Sequence, residues 1–195
     1  GRCHRVIAKF IDASSDEGQA KTALDRAIAL NPRLSVAHKY YAQLEADMGQ
    51  STSAMVRLLK QATQHGNDPE LFAGLVHACR YCGLFEQAIA AHEEARRLDP
   101  NVPSSLEQTI LMTHDVDRLL AVVPVATATG SDSVVPVIAL GLAGRRDDAL
   151  AALARHREAA QIQIFHAYAD SLEAWLTRRA ADMLENVLAL EGLRI

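Results

Sequence analysis

Residues 77–83 read HACRYCG. Cys79 and Cys82 stand in C-x-x-C spacing, with His77 just upstream. Thiolates and imidazoles ligate zinc, and two thiols so spaced can cycle between dithiol and disulfide. Zinc wants a tetrahedron of ligands, yet these three side chains share one helix-forming stretch, where residues two apart do not face each other. The third cysteine, Cys3, lies far upstream. Cys79 also continues the apolar series Leu75, Val76, which suits a free thiol packing as a small hydrophobe. Packing is the first reading, and a redox- or metal-responsive module using Cys79 and Cys82 is the alternative. No cofactor or metal is expected. The chain lacks the phosphate-binding, nucleophile-elbow, zincin and dinucleotide fingerprints, so it reads as non-enzymatic. His92 falls on an apolar helix face as a packing histidine. Asp147 and Asp148 open a predicted helix, where carboxylates suit the dipole. Arg155–Arg157 reads as a solvated helix end, and Tyr168 and Trp175 as core aromatics.

The elements that must carry these residues belong to a folded chain. Hydrophobic residues make up 49% and charged residues 23% of 195, which excludes a disordered composition. The net charge of −4 suggests no nucleic-acid partner. It comes from residues 103–195, with 8 basic and 12 acidic side chains, while residues 1–102 carry 12 of each. No apolar run reaches the length of about 18 residues that a membrane span needs. Three cysteines, an odd and small number, argue against a disulfide framework and point to a reducing, cytoplasmic setting. Gly1 leads at once into the amphipathic RVIAKFI, without an initiator Met or a signal-peptide pattern. The expectation is a piece cut from a longer chain.

Written in rows of 34 residues, the sequence falls into columns. Ala20, Ala54 and Ala88 align; so do Leu24, Leu58 and His92, and Ala27, Gln61 and Ala95. Gly49 and Gly83 share a column with Ser15, and Pro32, Gly66 and Pro100 close the rows. Each row reads as two helices. In the third, Leu71, Phe72, Leu75, Val76 and Cys79 make one apolar face. Asp68 is its N-cap and Pro69 its first residue, and Gly83 stops it. A second helix runs from about Phe85 to Leu98, and Asp99-Pro100 ends it.

These columns resemble the tetratricopeptide repeat family, through the 34-residue period, the inter-helix glycines, the alanine columns and the closing prolines. His4, His38 and Glu45 depart from the large aromatics common in that family. The resemblance implies an all-α fold: an α-solenoid of about five or six antiparallel helix pairs stacked into a right-handed superhelix. Residues 1–34, 35–68 and 69–102 are the clear repeats. Residues 103–130 read as a shortened, degenerate unit, because Gly144 follows Gly83 by 61 residues. Ser104 and Glu107 have the pattern of a capping box at its start. Residues 115–133 are expected to form short helices broken or kinked at Pro124, since a lone strand would leave its backbone without partners. Residues 131–160 form another repeat and 161–195 a terminal capping pair.

In the family the first helix of each pair lines a concave face. The period places Arg2, Arg5, Lys9 and Asp12 there, then Lys39, Gln43 and Asp47, then Glu70, His77, Arg80 and Tyr81. Lys39 is one period after Arg5, so cations are expected to stack between neighbouring repeats. Such a groove would take an acidic protein or peptide partner, arginine forking onto carboxylates; a plain solvated face is the competing reading. Likeness to the family's carboxylate clamp is partial: Arg5, Lys9 and Gln43 occupy its places, but Glu70 and Gly74 stand where later cations would be. The expected function is a non-enzymatic protein-interaction scaffold. Self-association through the terminal helix, with Leu188, Leu190, Leu193 and Ile195, is a further alternative.

Overall fold

Gly49, Gly83 and Gly144 all take positive φ, of +79°, +73° and +73°. At each, the glycine N–H bonds the carbonyl three residues back and the next N–H reaches five back: Gly49 to Ala46 and Gln50 to Glu45, Gly83 to Arg80 and Leu84 to Cys79, Gly144 to Gly141 and Arg145 to Leu140. This is the Schellman closure, which satisfies the last carbonyls of a helix and requires a left-handed residue. The glycine columns are therefore one structural device used three times.

A computed structural model describes residues 13–123, 133–159 and 163–179. Among them are ten helices: α1 (Ala13–Leu30), α2 (Ser35–Asp47), α3 (Ser51–Gln64), α4 (Pro69–Tyr81), α5 (Phe85–Leu98), α6 (Leu106–Thr113), α7 (Val116–Val122), α8 (Val135–Leu142), α9 (Arg146–Ala159) and α10 (Gln163–Leu176). The protein is all-α, its helices packed in sequential pairs. The chain divides into two compact units, Gly1–Thr109 and Ile110–Ile195.

In the first unit α2 packs on α3 and α4 on α5, while α2 also meets α4 and α3 meets α4. In the second, α8 packs on α9, α9 on α10, and α8 on both α7 and α10. The alanine columns explain the close approach. Ala20, Ala54, Ala88 and Ala149 are all completely buried. In the first unit Leu58 shares one core with Ala54, Ala88, Leu71, Leu75 and Val76. A second core joins Val137, Leu140, Ala149, Leu153 and Ala169, with Trp175 packed against it.

Helix starts follow local chemistry. Asp68 caps α4 by accepting from Glu70 N–H at 3.0 Å, with Pro69 in the first turn. Asp115 caps α7 in the same way, accepting from Arg118 N–H at 2.9 Å.

Several expectations change. No turn stands at Ser15, since α1 runs unbroken over Ala13–Leu30. Ser104 does not close a capping box; its hydroxyl lies 2.7 Å from His92 Nδ1, and α6 begins at Leu106. The Arg155–Arg157 stretch is not simply solvated. His156 is buried, and Arg157 ties α9 to Asp170 and Glu173 of α10. The expected partner helix of the first row, the segment around Pro124 and the terminal leucines lie outside the described residues.

The second unit also contains a turn that no glycine announces. Arg178 has φ +57°, its N–H bonds Trp175 carbonyl at 3.1 Å, and Arg179 N–H bonds Ala174 carbonyl at 2.9 Å. This is the same closure, 34 residues after Gly144, the interval that separates Gly49 from Gly83. His114, at φ +61°, makes the α6–α7 turn.

Candidate functional site

The first helices α2 and α4 hold most of the expected groove residues, and their spacing brings the polar ones together. Lys39 of α2 points across to α4, where Glu70 accepts from its ammonium at 2.6 Å; the Pro103 carbonyl is 3.5 Å away. The Lys39 side chain is only 6% exposed. A buried cation requires a partner, and Glu70 provides it. Glu45 takes a fork from Arg57 of α3 at 2.8 and 2.9 Å, and Arg57 lies 4.0 Å over the Tyr41 ring.

About two to three turns further along α4 lies a buried network. Arg80 is 7% exposed and donates to Ser105 carbonyl at 3.0 Å, Ser105 Oγ at 2.6 Å and Thr109 Oγ1 at 3.4 Å. Its other terminal nitrogen lies 2.9 Å from His77 Nδ1. Arginine only donates, so Nδ1 accepts and the imidazole proton is assigned to Nε2, which faces Asp47 Oδ1 at 3.6 Å. Tyr81 donates to that same oxygen at 3.0 Å from one period further on, and its ring stacks on His77 at 4.6 Å. Burial pulls the Arg80 guanidinium below the usual arginine range, opposed by the fields of Tyr81 and Asp47.

The arrangement tells which predicted residues can meet a ligand. Lys39, His77 and Arg80 are interior, their charge and hydrogen-bonding capacity committed to neighbouring helices. The expected stack of cations is, at Lys39 and Arg80, a set of internal ties, because the period also brings Glu70, Ser105 and Thr109 within reach. Gln43 is half-buried and Tyr81 exposed. Arg2, Arg5 and Lys9 lie outside the described residues.

Both described thiols are free. Cys79 is buried in the α2–α5 core, and that burial pushes its thiol up from the ordinary value, with the Cys82 thiol adding to the shift. A raised thiol is a poor nucleophile at neutral pH. Among the described residues no group of three or more His, Cys, Asp and Glu side chains could hold a metal ion, and no helix is long and apolar enough to cross a membrane.

A cavity of about 520 Å³ in the second unit is lined by Gly141, Arg146, Trp175 and Arg178, among others. Sequence reasoning missed it. The available signal was the interval from Gly144, which puts Arg178 at a turn position. No protein-family model matches the chain, and no curated protein matches it in sequence.

Proposed function

We infer that the chain is a non-enzymatic, tetratricopeptide-like scaffold that binds an acidic protein or peptide segment along the face built by the first helices of its pairs. The observation that supports this most is the recurrence of one left-handed turn at Gly49, Gly83, Gly144 and Arg178, twice at the same 34-residue interval. Repeats of that kind present successive first helices side by side, a surface suited to an extended ligand. Lys39–Glu70 and the Arg80 network stiffen this face. Contact chemistry then falls to Arg2, Arg5 and Lys9 and to Gln43 and Tyr81.

A displayed peptide library panned against the whole chain tests this reading. The expected result is an Asp/Glu-rich consensus. Its binding should weaken with salt and fall in an Arg2→Glu/Arg5→Glu/Lys9→Glu variant and in Gln43→Ala/Tyr81→Ala, each verified as folded by circular dichroism. Absence of any enriched peptide, or equal binding by parent and both variants, refutes it.

A further inference from the structure

Two arginines of the second unit occupy positions that local physics does not favour. Arg178 holds the left-handed turn position that Gly49, Gly83 and Gly144 hold elsewhere. A residue with a Cβ is strained there, and such strain persists where the surroundings sustain it and clusters at functional sites. Arg146 is the first residue of α9, at the positive end of the helix dipole, where a cation is disfavoured. The corresponding first residues after the other glycine turns are Ser51 in α3 and Phe85 in α5.

Both arginines line the same cavity of about 520 Å³, within the range of small-ligand sites. Neither guanidinium has a hydrogen-bond or ion-pair partner among the described residues. Nearby carboxylates are matched to other arginines: Asp148 to Arg145, and Glu173 to Arg157 and Arg179. Asp147 is exposed to solvent.

Trp175 forms another wall. Its ring edge is pressed against Gly141, where an added Cβ would stand 2.5 Å from Cη2 and Cζ3. The missing side chain at Gly141 gives the indole its seat. A cavity lined by two exposed arginines without a partner among the described residues, and by a seated indole, is complementary to an anion carried on a flat apolar body.

The geometry points to this cavity as a binding site for a small organic carboxylate bearing an aromatic or similarly flat apolar group. This assignment does not depend on the peptide-binding face proposed above. Trp175 is the only tryptophan of the chain, so intrinsic fluorescence reports directly on the cavity.

The test titrates the whole chain with benzoate at constant ionic strength, beside neutral benzamide and inorganic phosphate. Benzoate should change Trp175 emission saturably, and benzamide and phosphate should not. Arg178→Gly restores the residue used at the other turns, so it should melt no lower than the parent yet bind benzoate about tenfold more weakly or worse, as should Arg146→Ser. Four results overturn the assignment: no saturable benzoate response, an equal response to benzamide, an equal response to phosphate, or unchanged benzoate binding in both folded variants.

Discussion

Replacing Gly141 by alanine sets two opposed effects against each other, and the structure decides between them. Alanine is better than glycine inside a helix by about 0.8–1 kcal/mol, and less near an end. Gly141 is the penultimate residue of α8, so the gain is at the low side. Against it, the new Cβ would lie 2.5 Å from two Trp175 ring carbons and 2.9 Å from Leu176 Cδ2. Carbon atoms pack at about 3.5–4.0 Å, so a rigid ring packed against the core of the second unit must retreat by about 1 Å. Overpacking of this kind costs about 1–3 kcal/mol. The net expectation is destabilisation by about 1–2 kcal/mol, with a red shift of the single tryptophan's emission as its ring is displaced. Urea unfolding followed by that emission measures both. A Gly141→Ala variant as stable as the parent, with unchanged emission, would refute the packing described for Trp175.

The turn glycines and Arg178 should respond with opposite signs. Gly83→Ala meets nothing within 4 Å, so its cost is the left-handed backbone alone, about 1–2 kcal/mol, whereas Arg178→Gly should be neutral or stabilising by up to about 1 kcal/mol, both read by urea melts. Glu70→Gln leaves the Lys39 ammonium without its counter-charge. Because the Glu70 side chain is 29% exposed, the loss should be about 1–3 kcal/mol rather than that of a fully buried pair, and Lys39→Met/Glu70→Gln should recover part of it. Burial, reinforced by Arg96, holds His92 below the ordinary histidine value. The unfolded chain therefore takes up the proton first: the His92 contribution is complete above about pH 6.5 and is lost as pH falls through that value toward the lower folded one. His92→Gln should flatten that part of the stability–pH curve. In a Cys3→Ser background, Cys82 should react with a thiol reagent while Cys79 reacts only on unfolding, and rapid reaction of both in native buffer would contradict the raised, buried Cys79 thiol.

The third row shows how much of a repeat is legible along the chain. Asp68-Pro69, the Leu71–Cys79 face and Gly83 give α4, and the Phe85–Leu98 pattern gives α5, because caps, period and turn glycines act over a few residues. Where those signals fail, so does the reading. Ser15 offers no left-handed preference, and α1 passes through it. Arg178 makes the same turn as Gly144 without a residue that advertises it, since the α8–α10 core and the paired carbonyls hold it there. Ser104 and Glu107 fit a capping pattern, yet His92, from another helix, lies at the serine hydroxyl.

The sequence by itself determined the all-α character, the paired-helix period and the buried alanine and leucine columns, because these rest on local geometry repeated along the chain. It also put Lys39, His77, Arg80 and Tyr81 on first helices. Only the tertiary structure decided what those side chains do there. Lys39 meets Glu70 31 residues away, Arg80 meets Ser105 and Thr109 beyond the next helix, and Arg146 and Arg178 line one cavity from different helix ends. Charge pairing depends on distances across helices, and these are set by the packing of residues that a local pattern does not join.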